Sequence, residues 1–228
     1  MRDHIILCGL GAVGIKILEH LVMFNKQVIV IDIKENNDYI NTARDMKVPV
    51  IHGDVRRQNT LEKANVSQAQ SLIAATDNDL ANLEAALNAR AQNPDIRVVL
   101  RVFDSGFADK IRDGFQFGTA FSTQGISAPA FAMAAIDPSV IGSFFIGENL
   151  MLNVQLTIQE NSMLDGMDSD EFIDKGAYAI LIHEDLNTGK KKINPSDPVC
   201  LKSGDRLVVA TPHCDLAALH TLNKPLNA

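Results

Sequence analysis

The 228-residue sequence is poor in cysteine, in aromatic side chains and in positive charge. Its three cysteines, Cys8, Cys200 and Cys214, are too few and too scattered for a disulfide framework or a zinc site. Because there are ten Phe, two Tyr and no Trp, the hydrophobic core has to be mainly aliphatic. The 21 basic and 28 acidic residues give a net charge of −7, which argues against nucleic-acid binding.

Charged residues are missing from one long segment, residues 114–136. The segment is long enough to span a bilayer as a helix. It contains Gln116, Gln124 and Pro129, however, and these residues are costly or disruptive in hydrocarbon. Residues 1–4 are also unlike the start of a signal peptide. We therefore expect a soluble, cytoplasmic chain without direct membrane insertion.

The first 137 residues alternate between short apolar runs and segments with helical spacing. Unbroken runs of Val, Ile and Leu are typical of parallel strands that are covered by helices on both faces. Helical stripes lie between them, for example Val13, Ile17 and Leu21. This alternation predicts an α/β fold, a Rossmann-like doubly wound parallel sheet. The predicted strands are residues 4–8, 27–32, 49–51, 71–75, 97–103 and 120–122.

The pattern changes at Asp137-Pro138. Residues 150–158 alternate between apolar and polar positions, as in a half-exposed strand. Further strands are predicted at residues 178–183 and 206–210, and short helices at 168–173 and 215–222. We therefore predict two domains, a nucleotide-binding domain at residues 1–137 and a small β-rich α+β domain at 138–228.

A glycine-rich turn directly follows the first predicted strand and precedes the first helix. In this GxGxxG pattern, Gly9 permits a tight turn, Gly11 lets a pyrophosphate approach the backbone, and Gly14 lets the helix pack closely on the sheet. Asp32 ends the second strand, where a carboxylate accepts hydrogen bonds from ribose hydroxyls. The turn predicts a dinucleotide or adenosine site; the alternative is a structural turn with a solvent-facing aspartate. The predicted site residues of the turn are Gly9, Leu10, Gly11, Ala12, Val13 and Gly14.

Asp32 restricts the choice of ligand. A carboxylate at this position repels a 2′-phosphate, so NADP is disfavoured. Lys34 slightly weakens that argument because it brings a positive charge close by. NAD, NADH and the adenine nucleotides ADP and ATP all remain compatible with the sequence.

Four further polar residues lie in later strands of the predicted sheet or at their carboxyl ends. Asp54 lies at the carboxyl end of the third strand and either approaches an adenine or caps the next helix. Thr76 and Asp77 end the fourth strand. Arg101 lies in the apolar fifth strand and needs an anionic partner, which is either a bound phosphate or one of two aspartates, Asp104 or Asp77.

The sequence offers little for catalysis or metal binding. It has no Ser-Tyr-Lys arrangement, His-Asp pair or active-site cysteine in a position to assist hydride transfer. The acidic residues at 165–174 do not follow the order of an EF-hand loop, so a solvated helix start is the expected structure there. We therefore expect neither a catalytic nor a metal site.

Taken together, these segments resemble the RCK domains, also called KTN or TrkA domains, which regulate potassium channels and Trk/Ktr transporters. The second domain looks like the companion RCK C-terminal (TrkA-C) module through residues 201–209. One departure is Leu80, where the family often has Glu. The segments that carry the resemblance are residues 9–14, 30–32, 50–54, 75–79 with Asn82, and 100–104.

The resemblance implies a binding module and not an enzyme. Such domains bind NAD(H) or ATP/ADP, so the glycine turn, Asp32, Asp54, Thr76, Asp77 and Arg101 are the expected ligand contacts. They form homodimers that assemble into rings, such as an octamer, under a potassium channel or transporter membrane subunit. The expected location is therefore the inner face of the cell membrane, reached through that partner.

The resemblance also gives the uncharged segment a role. Residues 127–136 are almost all apolar or small, and a helix without a polar face is unfavourable on the surface of a small domain. The family has a crossover helix here that packs onto a second subunit; a core helix is the alternative. Two other functions stay open, a small NAD-dependent oxidoreductase and a scaffold with a vestigial glycine turn.

Overall fold

A computed structural model of the chain describes residues 1–115, 117 and 119–226, with Arg112 described by its backbone alone. The chain divides into two compact units, Met1–Gly125 and Ile126–Ala228. The predicted boundary between the nucleotide-binding domain and the second domain, after residue 137, stays a prediction. Within the described ranges, no helix has the combined length and apolarity needed to cross a bilayer.

The first unit is a six-stranded parallel sheet with helices between its strands. The strands are ordered β3-β2-β1-β4-β5-β6, and every neighbouring pair is parallel. This confirms the predicted Rossmann-like doubly wound sheet. In chain order the elements are β1 (His4–Cys8), α1 (Ala12–Met23), β2 (Val28–Asp32), α2 (Tyr39–Asp45), β3 (Val50–His52), α3 (Gln58–Lys63), β4 (Ala69–Ala74), α4 (Asp79–Gln92), β5 (Arg97–Val102), α5 (Ser105–Phe115) and β6 (Thr119–Ser122). Helix α6 (Thr123–Ile136) comes next and contains the boundary between the two units.

The aliphatic core covers both faces of this sheet. Strands β1 and β2 are buried along their whole length. Successive side chains of a strand point to opposite faces, so Ile6 and Cys8 lie in one apolar cluster and Leu7 lies in the other. This two-sided burial is the reason that the strands appear in the sequence as unbroken apolar runs.

The strand register brings the carboxyl ends of the central strands to one level. Cys8 lies opposite Ile31 on β2 and opposite Ala74 on β4, and Asp32 lies opposite His52 on β3. The direction of strand order reverses between β1 and β4, and ligands in such sheets bind outside the carboxyl ends at that reversal. The loops after these strands therefore form the expected site.

The second unit contains a five-stranded antiparallel sheet ordered β10-β9-β11-β8-β7. Its core includes Phe172 and Tyr178, whose rings stack at 4.9 Å. Asp168, from the acidic segment, accepts a hydrogen bond from the Asp170 backbone and caps α7. The elements are β7 (Val140–Ile146), β8 (Asn149–Thr157), α7 (Ser169–Asp174), β9 (Ala179–Asp185), β10 (Lys190–Ile193), β11 (Arg206–Pro212) and α8 (Leu216–Leu222).

Sequence patterns miss both edge strands of this second sheet. Strand β7 is exposed on consecutive residues, so Phe144, Phe145 and Ile146 show no alternation. Strand β10 reads Lys-Lys-Lys-Ile and is exposed throughout; it forms because it pairs with β9. An edge strand needs no buried face of its own, and charged lysines there oppose unwanted pairing.

The uncharged segment is divided among several elements of the structure. Gln116 and Gly118 lie outside the described residues, and the rest belongs mainly to the end of α5, β6 and α6. No residue of α6 is buried, and the Phe131 side chain is 77% exposed. The alternative, in which residues 127–136 form a helix in the core of a single chain, therefore does not fit the structure.

Candidate functional site

A cavity of about 440 Å³ opens at the carboxyl edge of the parallel sheet. It is formed by the loops after β1, β2, β3 and β4, together with Arg101 of β5. Its lining consists of Gly9, Gly11, Ala12, Val13, Ile31, Asp32, Ile33, Lys34, Asn37, Asp54, Val55, Arg56, Ala75, Thr76, Asp77, Asn78, Ala81 and Arg101.

Each glycine of the turn has its own structural reason. Gly9 has φ +96°, and a Cβ there would lie 2.9 Å from the Thr76 backbone nitrogen. A Cβ on Gly14, in the first turns of α1, would collide with the Gly9 carbonyl. At Gly11 a Cβ would meet no atom within 4 Å. The backbone at Gly11 therefore faces open space in the cavity, as the approach of a phosphate requires.

The N-terminus of α1 is oriented for an anion. Gly11 is its N-cap residue, and no side chain among the described residues caps the helix there. The first backbone N–H groups of a helix have no partner inside the helix and carry a partial positive charge. The first turn at Ala12 and Val13 therefore offers donors to a bound phosphate.

Asp32 is held by the backbone on both sides of its carboxylate. One oxygen accepts a hydrogen bond from the Leu10 backbone N–H at 2.6 Å, and the other accepts one from the Lys34 backbone N–H at 2.8 Å. The residue is buried, yet it lines the cavity. Among the described residues each oxygen accepts one hydrogen bond, so the fixed carboxylate keeps two acceptor positions, the arrangement that a diol requires.

Asp54 forms an ion pair with Arg56 and does not cap a helix. The Arg56 side chain donates to both carboxylate oxygens, with the shortest contact at 2.7 Å. Helix α3 begins after Arg57, which has no side-chain cap bond. The hydrogen bond from Arg56 lowers the pKa of Asp54 below its ordinary value, so Asp54 is anionic at neutral pH. The contact with an adenine stays a prediction.

Thr76 follows the fourth strand, β4, and is fixed by α4. Its backbone N–H and its hydroxyl both donate to the Asn82 side-chain oxygen, at 3.0 and 2.6 Å. Asn78 caps α4 by accepting a hydrogen bond from the Ala81 backbone at 2.8 Å. Asp77 lies between them, exposed and on the cavity lining.

Arg101 crosses from β5 toward the end of β4. Its guanidinium donates a hydrogen bond to the Thr76 carbonyl at 3.1 Å. In the part of the chain that the structure describes, Arg101 forms no ion pair, either with Asp77 or with Asp104. The aspartate alternative is therefore not observed, and the cation remains available to an anionic ligand.

Two cavity residues that sequence reasoning did not select are Asn37 and Arg56. Asn37 donates to the Leu10 carbonyl at 2.9 Å and accepts from the Tyr39 backbone, so it joins the glycine turn to the loop after β2. The only indication in the sequence was the position of an Asn shortly before the start of α2, where such residues often bond to the backbone. Conversely, Leu10 and Gly14 do not line the cavity; they support it from the backbone side.

The cavity carries charges of both signs along its length. Asp54 follows β3 with its partner Arg56, Asp32 ends β2 shortly before Lys34, the glycine turn follows β1, Asp77 follows β4, and Arg101 lies on β5. Neighbouring strands are about 4.8 Å apart, so the strand carrying Asp32 and the strand carrying Arg101 are roughly 14 Å apart. A ligand with a diol at one end and phosphates toward the other matches this order.

The described residues give no support for metal binding or for a nucleophilic cysteine. They contain no cluster of three or more His, Cys, Asp or Glu side chains that would hold a metal ion. Cys8 directly precedes the turn, but burial raises the pKa of its thiol to about 12. The thiol is therefore protonated at neutral pH and is a poor nucleophile.

Comparison with known proteins gives a consistent result. The TrkA-N domain model matches residues 5–120. The chain is 25% identical over 217 residues to the Trk system potassium uptake protein TrkA homolog of Pyrococcus horikoshii, covering 91% of both chains. It is 31% identical over 117 residues to the voltage-gated potassium channel Kch of Escherichia coli, covering 49% of this chain but only 27% of Kch.

Solved structures agree on the fold. The GsuK channel bound to NAD superposes with a TM-score of 0.62 at 17% identity, over 98% of this chain and 40% of that chain. The resemblance to RCK and TrkA domains that the motifs indicated is thus confirmed. Because the matched residues 5–120 make up just over half of its length, this chain belongs to the TrkA-N domain family.

Proposed function

We propose that this chain is a nucleotide-sensing regulatory subunit or domain that controls a potassium channel or transporter. The observation that carries the proposal is the fixed Asp32 carboxylate beside the glycine turn, in one cavity with Arg101, which forms no ion pair with any described residue. Membership in the TrkA-N family and the coverage of a TrkA homolog over 91% of both chains support the regulatory role.

The proposed ligand is NAD(H) or an adenine nucleotide, ADP or ATP. Asp32 binds the adenosine ribose, and the glycine turn, the α1 N-terminus and Arg101 face the phosphates. The proposed contacts are Gly9, Leu10, Gly11, Ala12, Val13, Gly14, Asp32, Asp54, Thr76, Asp77 and Arg101, where Leu10 and Gly14 act through the backbone. The related GsuK channel is described as bound to NAD, which fits this ligand class.

The proposed partner is the membrane subunit of a potassium channel or transporter. The chain acts as a homodimer that assembles into an octameric ring at the cytoplasmic face of the cell membrane. Nucleotide binding shifts the dimer between two arrangements, and it does so only by the difference in its affinity for the two. The exposed α6 helix is the proposed contact between copies.

A small NAD-dependent oxidoreductase is the competing function, because many such enzymes share this sheet. Within the described residues the cavity lining includes no His, Cys, Ser or Tyr side chain, and the regulatory relatives support a binding module instead. Calorimetry with NADH and ADP, mass spectrometry of the co-purified nucleotide and NADH absorbance across a metabolite panel test the choice. We expect binding without turnover; turnover would establish the oxidoreductase.

Replacing Phe131 on α6 by aspartate is expected to convert the dimer to a monomer. An aromatic side chain at the centre of an interface contributes about 2–4 kcal/mol, and a buried unpaired carboxylate opposes association further. The dimer dissociation constant should rise by at least about 30-fold, which corresponds to roughly 2 kcal/mol. Native mass spectrometry or analytical ultracentrifugation measures it.

Ile193→Asp supplies the matched control for this experiment. Ile193 lies on β10 and is 76% exposed, against 77% for Phe131. Loss of an equally exposed hydrophobic side chain there should leave the dimer intact. A dimer that survives Phe131→Asp unchanged would remove α6 from the interface.

A further inference from the structure

Asn82 is completely buried at the start of α4, yet all of its polar groups are used. Its side-chain oxygen accepts hydrogen bonds from the backbone N–H and the hydroxyl of Thr76. Its amide donates to the Thr76 carbonyl at 3.2 Å and to the Arg101 carbonyl at 2.9 Å. An asparagine amide has two acceptor sites and two donor hydrogens, so Asn82 is fully satisfied.

These four bonds join two strand ends that carry predicted ligand contacts. Thr76 follows β4 and Arg101 lies on β5, the next strand of the sheet. The Thr76 carbonyl also accepts a hydrogen bond from the Arg101 guanidinium at 3.1 Å. Asn82 thus fixes both the backbone that carries Arg101 and the carbonyl that orients its side chain.

The glycine turn is coupled to the same residues. The Gly9 backbone packs so closely on Thr76 that a Cβ would lie 2.9 Å from the Thr76 nitrogen. Displacement of Thr76 therefore disturbs the surface against which the turn rests. Asn82 itself does not line the cavity, so any effect on a ligand has to pass through Thr76 and Arg101.

We propose that Asn82 is a positioning residue that aligns Thr76 and Arg101 with the phosphate-bearing end of the ligand. This inference rests on the proposed nucleotide site and adds a specific consequence. Asp32 and Asp54 lie on the other side of β1 and have no hydrogen bond with Asn82 among the described residues. Loss of Asn82 therefore weakens recognition of phosphate more than recognition of adenosine.

The test compares the affinities of ADP and adenosine for the full chain by calorimetry. Asn82→Ala removes all four bonds and should reduce the preference for ADP over adenosine by about tenfold, as expected for one misaligned charge-assisted hydrogen bond. In an Arg101→Ala background the same substitution should change that preference much less, because coupled residues are non-additive.

Asn93→Ala is the matched control. Asn93 ends the same helix and donates two hydrogen bonds, each of 3.0 Å, to the carbonyls of Val66 and Ala69, at the amino-terminal edge of the sheet. It should lower stability without changing the ratio of the two affinities. If Asn82→Ala does not fold, Asn82→Asp replaces it in the test. The aspartate retains acceptors for Thr76 but loses the donors to both carbonyls, so the affinity for ADP relative to adenosine should fall.

The outcomes separate this inference from the proposed function. A folded Asn82 variant with an unchanged ratio would overturn the positioning role while leaving the nucleotide site in place. A wild-type chain that binds neither ADP nor NADH would overturn the proposed function, and the role of Asn82 would fall with it.

Discussion

Replacing Asp32 by alanine is expected to weaken the binding of NADH and ADP by about 100-fold. In the proposed site the carboxylate presents two fixed acceptors to the ribose hydroxyls, and a hydrogen bond to a charged group contributes about 1.5–3 kcal/mol. Two such bonds correspond to roughly 3 kcal/mol or more, and every 1.4 kcal/mol is a factor of ten. Calorimetric titration of the variant with each nucleotide measures the loss.

Stability has to be measured in the same variant. The alanine leaves the buried Leu10 N–H and the Lys34 N–H without their carboxylate partner, so the melting temperature falls as well. Asp185→Ala is the matched control, because Asp185 also accepts hydrogen bonds from two backbone N–H groups, those of Asn187 and Thr188, but in the second unit. Unchanged nucleotide affinities in a folded Asp32 variant would refute the site.

Gly11→Ala is expected to lower nucleotide affinity, whereas Gly14→Ala is expected to lower the stability of the fold. Gly11 has φ −80° and open space around a Cβ, so the fold should tolerate Gly11→Ala with little loss of stability. The added methyl group occupies the space that a phosphate needs, and nucleotide affinity should fall at least tenfold, or about 1.4 kcal/mol.

Gly14→Ala acts on the fold itself. Its Cβ would collide with the Gly9 carbonyl, which cannot move without shifting the turn against Thr76. Overpacking of this kind costs about 1–3 kcal/mol, and each kcal/mol lowers the melting temperature by roughly 2–4 °C in a chain of this size. Thermal unfolding and calorimetry on both variants give the comparison. Equal stability of the two variants would contradict these separate roles.

The sequence was sufficient for the parts of the fold in which burial is complete. Strands β1 and β2 are buried on both faces, and their apolar runs therefore mark them directly. Strands β7 and β10 could not be found in this way, because they are exposed edges that form by pairing with β8 and β9. Pairing partners are not encoded in the local pattern of an edge strand.

In the candidate site, too, features set by local spacing could be predicted, whereas the partner of a particular side chain could not. The glycine turn and Asp32 were recognisable because their spacing along the chain is set by one strand, one turn and one helix. The ion pair of Asp54 with Arg56 was missed, since a carboxylate before a helix suggests a cap until its actual partner is known.

The sequence by itself determined an acidic α/β chain with few aromatic residues, a glycine-rich turn before the first helix and an aspartate at the end of the second strand. These properties depend on composition and on neighbours within about 25 residues. Only the tertiary structure decided that Arg101 forms no ion pair with the nearby aspartates and that Asn82 holds Thr76 and Arg101 together. The physical reason is that a buried hydrogen bond across two strands depends on sheet order and register, and these arise only when the whole sheet assembles.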